Sequence, residues 1–338
     1  MTGSGDERPA DPAGPIRAVT AVAASEAAAT SEAAVAGLPP LRRRPDAEVV
    51  VNATIAARLL AAQHPDLAEL PLSLLGSGWD NVLFRLGDDL LVRVPRRYAA
   101  AALVEHEQRW LPELAPRLPV PVPVPVRVGR PGEGFPWHWT VARWLPGEPL
   151  ASATITHPTA LAEDLAAFLV ALHQPAPPDA PLNPYRGVPL PARHERTMAG
   201  IEALRPADGV EPAAVARCWE RLAATPPWDG PPQWLHGDLH PANVLVAGGR
   251  LTAVIDFGDL TAGDPACDLA VAWMVFPPGT RAAMRRAYPG LDDDTWTRAR
   301  AWALALGVAY LQGADDDPVL HRLGRNTLRA VLDNADGS

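Results

Sequence analysis

The chain has 338 residues, of which 48% are hydrophobic and 20% charged, and this length allows two lobes with a sizeable apolar core. The formal net charge of −9 at pH 7 argues against a nucleic-acid-binding protein, which needs a basic surface, and is compatible with a cationic substrate. The sequence contains no lysine, so all 30 basic side chains are arginines.

Sequence features of membrane and secreted proteins are missing. No apolar run reaches the ~18 residues of a membrane span, and the N-terminus lacks the basic and apolar regions of a secretory signal. The two cysteines, Cys218 and Cys267, show neither a disulfide framework nor a zinc-binding spacing. We therefore expect a cytoplasmic protein without a membrane partner.

Residues 1–45 are predicted to be a disordered tail. They are mainly Ala, Gly, Pro, Ser and Glu, and such a segment cannot bury enough apolar surface to offset the entropy lost on ordering. A first lobe is predicted over residues 46–145, where Asp46 is the expected N-cap of the first helix. Its predicted elements are a helix over 47–63, strands over 72–75, 82–86 and 90–94, a helix over 99–114, an extended edge segment over 119–126 and a strand over 137–145.

The pattern becomes mainly helical over residues 146–335, the second predicted lobe. Apolar residues recur there at helical spacing, and a single β-hairpin interrupts them. Strands and helices do not alternate as in βαβ units, which excludes a doubly wound sheet and indicates an α+β protein. The predicted helices cover residues 161–173, 193–204, 212–224, 266–276, 280–287, 294–311 and 317–332.

Residues 234–268 concentrate polar side chains at the ends of two short apolar runs. With a two-residue turn at Gly248-Gly249, Asn243 is predicted to lie opposite Val254, and Asp256 points to the same face two residues later. Residues in such diagonal positions are ~7–8 Å apart, so their oxygen atoms can share a hard cation such as Mg²⁺.

His236 and His240 raise the alternative of a zinc site, because they are four residues apart. Gly237 and Pro241 disfavour the helix that such a pair needs, and the glutamate of a zinc-protease motif is missing. A structural role in the loop is the simpler interpretation of His236, and the sequence leaves the role of His240 open.

Two motifs in this stretch resemble the signature of a known family. HGDLHPAN over residues 236–243, followed by IDFGD over residues 255–259, resembles the aminoglycoside phosphotransferase family of the protein-kinase-like fold. The resemblance extends in element order over about residues 47–335 and is weakest around residues 176–192. It implies a two-lobed α+β fold, with a small antiparallel-sheet N-lobe that binds a nucleotide and a larger, mainly helical C-lobe that binds the acceptor.

The resemblance also implies an activity. The expected enzyme is a phosphotransferase that uses ATP, or alternatively GTP, with Mg²⁺ and acts on a hydroxyl of an aminoglycoside, another antibiotic or a metabolite alcohol. Asp238 would be the catalytic base, and Asn243 and Asp256 would hold Mg²⁺. The remaining expected contacts are with the nucleotide: Gly76, Ser77 and Gly78 over its phosphates, and Arg143, Trp144 and Leu145 around its base.

The third strand departs from the family pattern. The resemblance places a lysine there that contacts the phosphates and pairs with a glutamate on the next helix, whereas this sequence offers Arg93. Glu107 is the expected partner, with Glu105 as the alternative. Because arginine and lysine differ in reach and geometry, a nucleotide-binding pseudokinase with little or no turnover is the alternative function.

Further carboxylates are expected in supporting roles. Asp268 matches a family position that braces the catalytic loop. The acidic runs over residues 292–294 and 315–317 are candidate contacts for a cationic acceptor, although solvated loop faces are the simpler interpretation.

Overall fold

The computed structural model describes residues 46–313 and 317–333, and the predicted tail over residues 1–45 lies outside this range. The described chain forms a five-stranded antiparallel sheet with two helices, followed by a larger, mainly helical part that contains a small hairpin. The predicted two-lobed α+β fold is confirmed. Among the described residues, no helix is both long and apolar enough to cross a membrane.

The N-lobe follows the predicted order of elements. Its sheet has the strand order β1-β2-β3-β5-β4, and all neighbouring strands are antiparallel. The predicted extended segment leads into the edge strand β4, whose first residue is a proline, as an edge strand tolerates. The elements are α1 (Ala53–Gln63), β1 (Leu72–Ser77), β2 (Asn81–Leu86), β3 (Leu90–Pro95), α2 (Tyr98–Leu114), β4 (Pro125–Gly129) and β5 (Trp139–Arg143).

The first helix begins later than predicted. The side chain of Asn52, not that of Asp46, caps α1 by accepting a hydrogen bond from the Ile55 amide at 3.0 Å. The amide of Glu48 instead donates to the carbonyl oxygen of Arg96 at 2.9 Å, which holds this non-helical segment beside the end of β3. The predicted cap at Asp46 is therefore wrong, because a tertiary contact replaces the first helical turn.

Successive side chains of β3 point to opposite faces of the sheet. Val92 and Val94 are fully buried and belong to one apolar cluster with Leu60 of α1 and Phe84 of β2. Because successive side chains of a strand point to opposite faces, Arg93 points away from this cluster. Its guanidinium is thereby placed toward α2 and the cleft between the lobes.

The C-lobe is built around one long central helix, α9. Its apolar residues are buried on all sides, including Trp302 and Leu306, which is typical of a helix in the middle of a domain. The predicted helix over 266–276 is divided into two short helices at Ala270. The helices are α3 (Pro158–Leu172), α4 (His194–Glu202), α5 (Pro212–Ala223), α6 (Ala266–Leu269), α7 (Val271–Val275), α8 (Pro278–Ala287), α9 (Asp293–Gln312) and α10 (Pro318–Leu332).

Short strands of the C-lobe hold the polar stretch. β6 (Glu148–Pro149), β8 (Val244–Ala247) and β9 (Arg250–Val254) form a three-stranded sheet, and β7 (Gln233–Leu235) pairs with β10 (Thr261–Gly263). All these pairings are antiparallel.

The hairpin has the predicted turn but a different register at its far end. Ala247 pairs with Arg250, and both Gly248 and Gly249 have positive φ, as a tight two-residue turn requires. A bulge between Leu245 and Val246 then shifts the register by one residue, so that Val244 pairs with Val254. The prediction that Asn243 lies opposite Val254 is therefore wrong, because the extra residue of a β-bulge has no sequence signal here.

Candidate active site

The loop over residues 236–243 joins β7 to β8, and the carboxylate of Asp268 fixes its first residues. Asp268 accepts hydrogen bonds from the amides of His236 at 2.7 Å and Gly237 at 2.9 Å. Gly237 has a φ of +85°, and a Cβ atom at this position would lie 2.2 Å from the carbonyl oxygen of Asp259. The loop thus needs glycine at this point, and Asp268 makes the bracing contacts expected of it.

Asp238 lies on this loop with its side chain only 1% exposed. Arg186 donates from Nη2 to its Oδ1 at 2.8 Å, and His240 Nε2 lies 3.3 Å from its Oδ2. Burial raises the pKa of Asp238, but the charges of Arg186 and His240 outweigh it and hold this pKa below its usual value. The carboxyl is therefore ionised at neutral pH, the state that a general base needs.

His240 contacts the Asp238 carboxylate directly. Its Nδ1 accepts a hydrogen bond from the Ala242 amide at 3.2 Å, and its Nε2 lies 3.3 Å from Asp238 Oδ2 and 3.2 Å from the side-chain nitrogen of Asn243. The edge of the Tyr310 ring packs against the imidazole, with a centroid distance of 5.7 Å. The position that the sequence left open is thus a neighbour of the candidate base.

Asn243 and Asp256 lie next to each other at the end of the hairpin. The side-chain nitrogen of Asn243 donates to the carbonyl oxygen of Asp238 at 2.9 Å, which leaves its Oδ1 as the atom able to bind a cation. The amide of Ile255, the residue before Asp256, donates to the carbonyl oxygen of Asn243 at 2.9 Å. Asp256 itself has a φ of +65°, a conformation that is rare outside glycine and concentrates at functional sites.

Arg93 connects the two lobes. Its Nη1 donates to Glu107 Oε2 at 2.6 Å and its Nη2 to Asp256 Oδ1 at 3.1 Å. Glu107 is therefore the partner of Arg93, whereas Glu105 pairs with His138 in an exposed contact. Burial raises the pKa of Glu107 to about 6, although the charge of Arg93 opposes this shift.

His236 has the structural role that the sequence favoured. Its Nε2 bonds to the carbonyl oxygen of Ile255 at 3.0 Å, and its Nδ1 accepts from the Asp238 amide at 3.2 Å. Its ring packs on Phe257 at a centroid distance of 4.5 Å, and burial lowers its pKa. Both ring nitrogens therefore contact the backbone, which argues against the zinc alternative. The described residues also contain no cluster of three or more His, Cys, Asp or Glu side chains suited to a metal ion.

Of the residues predicted to form a phosphate-covering loop, Gly76 and Ser77 end β1, and Gly78 follows it. Two arginines that the sequence did not mark hold this segment. Arg96 donates to the carbonyl oxygen of Gly78 at 3.1 Å, and Arg97 pairs with Asp80 at 3.1 Å. Both members of the second pair are buried, and burial raises the pKa of Asp80 to about 8 against the opposing charge of Arg97. These contacts anchor the loop to the start of α2.

A cavity between the lobes is the candidate nucleotide site. Of the predicted base contacts, Arg143, Trp144 and Leu145 all line it. The predicted loop residues Gly76, Ser77 and Gly78 do not line it themselves, whereas their neighbours Leu75 and Trp79 do. Arg93, Glu107 and Asp256 also face this cavity, together with the apolar side chains Leu83, Leu91, Leu103, Val104, Leu245 and Ile255.

Sequence reasoning missed the residue closest to the candidate base, Arg186. It lies in the proline-rich connection between α3 and α4, a segment without periodicity or a recognisable motif. Asp259, the last residue of the second motif, lies 3.5 Å from the same guanidinium. Asp259 was the one available signal. A carboxylate that belongs to a motif and is buried needs a cation as its partner, and that cation can come from another part of the chain.

Comparisons of the sequence with known proteins found a family and a distant relative. A model of the phosphotransferase enzyme family matches residues 71–302. The uncharacterized protein YcbJ of Bacillus subtilis (strain 168) is 26% identical over 130 residues, and the match covers 33% of this chain and less than half, 42%, of that protein.

Solved structures share the fold. The GDP and kanamycin complex of APH(2'')-IIIa matches with a TM-score of 0.64 at 20% identity, over 82% of this chain and 97% of that one. The apoenzyme of the macrolide 2'-phosphotransferase MphH from Brachybacterium faecium matches with a TM-score of 0.55 at 25% identity, over 82% and 98% of the two chains. The relationship expected from the two motifs is confirmed, and the chain belongs to the phosphotransferase enzyme family.

Proposed function

We propose that this protein transfers the γ-phosphoryl group of ATP or GTP to a hydroxyl group of a small molecule, with Asp238 as the catalytic base. The observation that supports this most directly is one hydrogen-bonded arrangement. Asp238 is ionised, its backbone carbonyl oxygen accepts a hydrogen bond from the side-chain nitrogen of Asn243, and Asn243 lies beside Asp256 at the cleft. We assign residues 46–145 to the nucleotide-binding lobe and residues 146–335 to the acceptor lobe.

The chain supplies a fitting environment for a nucleotide and Mg²⁺. Asn243 Oδ1 and the Asp256 carboxylate are hard oxygen donors, and Mg²⁺ in phosphotransferases commonly takes one or two protein ligands and completes its shell with water and phosphate oxygens. Bound Mg²⁺ would neutralise charge on the phosphates. Arg93 would contact the phosphates from β3, while Arg143 and Leu145 would border the base.

The transfer step follows from the position of Asp238. The oxygen of the acceptor hydroxyl attacks the γ-phosphorus while the bond from that phosphorus to the β–γ bridging oxygen breaks. The nucleoside diphosphate leaves with the electron pair of this bond, and the proton of the hydroxyl passes to the Asp238 carboxylate. Positioning and charge stabilisation supply most of the acceleration in this class of reaction.

The acceptor is proposed to have an apolar surface. A second cavity borders the catalytic loop at Pro241 and Ala242, and its lining is apolar apart from Arg322 and Asn326. The other lining side chains include Leu150, Ile155, Met274, Val275, Leu320 and Leu323. Asp238 itself does not line this cavity, so the lining would receive an apolar part of the acceptor away from the reacting hydroxyl.

The acidic runs have structural contacts where they are described. Asp292 caps α9 through the Thr295 amide, Asp293 pairs with Arg285, and Asp317 caps α10. Their carboxylates therefore support helix ends, and Asp315 and Asp316 lie outside the described residues.

A nucleotide-consumption screen tests the proposal. Wild-type protein is incubated with Mg·ATP or Mg·GTP and with aminoglycosides, macrolides and cellular alcohols, beside Asp238→Asn as the matched isosteric variant. We expect consumption with at least one acceptor, and a loss of at least ~100-fold in kcat for D238N with nucleotide binding retained. Near-normal turnover of D238N would remove Asp238 from its assigned role.

The pseudokinase alternative gives a different outcome in the same experiment. It is motivated by Arg93, which binds the metal-ligand candidate Asp256 directly. A pseudokinase would gain thermal stability from Mg·ATP or Mg·GTP without consuming either nucleotide with any acceptor. Absence of both stabilisation and consumption would contradict both functions.

A further inference from the structure

Arg186 brings a buried positive charge onto the candidate base. Its side chain is 3% exposed, and its Nη2 donates to Asp238 Oδ1 at 2.8 Å. The same nitrogen lies 3.5 Å from Asp259 Oδ2. A hydrogen bond between two buried charged groups has a fixed geometry, because neither group can turn to solvent.

Hydrogen bonds on both sides of Arg186 fix the segment that carries this residue. Three residues earlier, the Asn183 side chain donates to Asp259 Oδ1 at 2.7 Å. One residue later, the carbonyl oxygen of Gly187 accepts a hydrogen bond from the Asp264 amide at 2.9 Å. The position of the guanidinium is therefore determined by contacts with the elements that follow the catalytic loop in sequence.

The two oxygens of Asp238 have different environments. Oδ1 is bound by Arg186, whereas Oδ2 is buried and receives no hydrogen bond of good geometry from the described residues. Its nearest polar neighbour is His240 Nε2, at 3.3 Å. A buried carboxylate oxygen without a donor is costly unless a ligand supplies one.

We propose that Arg186 is a positioning residue for phosphoryl transfer, because it binds Oδ1 of Asp238 and thereby presents Oδ2 to the acceptor hydroxyl. This inference rests on the function proposed above. The acceptor O–H bond breaks as the new O–P bond forms, and its proton binds Oδ2. The guanidinium of Arg186 keeps its own protons throughout and fixes the rotation of the carboxylate.

Steady-state kinetics on three variants test this role, with the best acceptor from the screen and either Mg·ATP or Mg·GTP. In Arg186→Gln we expect kcat to fall about 10- to 100-fold, because a misplaced reacting group costs about this much. KM for the nucleotide is expected to stay within about 2-fold, since Arg186 does not line the interlobe cavity. Arg186→Lys should recover part of kcat, because its ammonium can donate one bond to Oδ1.

The matched control is Arg127→Gln, which removes an exposed ion pair with Asp66 on the N-lobe and should leave kcat unchanged. Folding of each variant is checked by circular dichroism and thermal unfolding. If R186Q does not fold, Asn183→Ala takes its place. It keeps Arg186 but removes the 2.7 Å bond that fixes its segment to Asp259, and kcat should fall at least ~3-fold.

Three outcomes separate the possibilities. Wild-type kcat in folded R186Q, or in N183A if R186Q does not fold, would overturn the positioning role. Equal losses in R186Q and R186K together with a raised nucleotide KM would indicate a merely structural arginine and would also overturn it. A wild-type protein that consumes no nucleotide with any acceptor would instead overturn the proposed function itself.

Discussion

The guanidinium of Arg93 lies 2.6 Å from the carboxylate of Glu107, and both side chains are buried. The second nitrogen of the same guanidinium reaches Asp256 at 3.1 Å, across the cleft. A lysine ammonium is a single point charge, whereas the planar guanidinium presents two parallel donors to two carboxylates. The arginine thus links the N-lobe helix α2 to the C-lobe hairpin with one side chain.

Two substitutions of Arg93 should separate the effect of its positive charge from the effect of its two-donor geometry. Arg93→Lys is expected to keep kcat within about 10-fold of wild type, because the charge remains beside Glu107. Arg93→Met should lower kcat at least ~100-fold and raise the nucleotide Kd, because no cation then contacts the phosphates. Nucleotide binding by calorimetry and turnover at saturating acceptor measure the two effects. Equal activity of R93K and R93M would show that Arg93 does not act on the nucleotide.

The buried pair of Asp80 and Arg97 predicts a pH dependence of stability. Because burial raises the pKa of Asp80 to about 8, well above the usual value for an aspartate, the folded protein holds a proton that the unfolded chain loses at lower pH. The free energy of unfolding should therefore fall as pH rises from about 4 to about 8.

Asp80→Asn tests this dependence, since an amide cannot lose a proton in this range. Urea unfolding at about pH 5 and about pH 8 should show a smaller loss of stability in D80N than in wild type. Asp66→Asn, at an exposed ion pair, serves as the control with a wild-type pH profile. Identical profiles of D80N and wild type would mean that Asp80 is ionised beside Arg97 over this whole range.

Gly187 is predicted to tolerate no side chain. It has a φ of +64°, and a Cβ atom would lie 2.4 Å from Leu235 Cδ1. Gly187→Ala should lower the free energy of unfolding by about 2–4 kcal/mol through backbone strain and overpacking. Gly134→Ala is the control, because its φ of +79° gives similar strain but no atom lies within 4 Å of the added Cβ. Equal losses would show that the contact with Leu235 relaxes at no cost.

Asp268 is expected to contribute to stability as well as to the conformation of the loop over residues 236–243. Asp268→Asn weakens a charged acceptor of two backbone N–H groups, at His236 and Gly237, and should cost about 2–3 kcal/mol in urea unfolding. Asp317→Asn provides a matched change at the N-cap of α10, where asparagine caps equally well and the cost should stay below about 0.5 kcal/mol. A cost for D268N as small as that of D317N would contradict the bracing role.

Local patterns in the sequence predicted the order of helices and strands and part of the site. The pairing of Arg93 with Glu107 was predicted from the family resemblance, and β3 and α2, which carry these residues, are adjacent along the chain. The turn at Gly248-Gly249 was likewise predictable, because its dihedral angles require glycine.

Tertiary contacts determined what the sequence could not predict. Arg186 reaches Asp238 only because the segment around it packs on β10 and Asp259, contacts more than 70 residues apart in sequence. The pair of Asp80 and Arg97 depends on how a turn meets the start of a helix. The one-residue bulge in the hairpin likewise follows from packing and leaves no trace in periodicity.

The arginine on β3 also determines which reagents can label the cleft between the lobes, because the chain contains no lysine. Reagents that acylate a lysine amine have no target there, because Arg93 carries a guanidinium and the chain contains no lysine. Arginine-directed dicarbonyl reagents, with protection by Mg·ATP or Mg·GTP as the readout, are the appropriate chemistry for this family member.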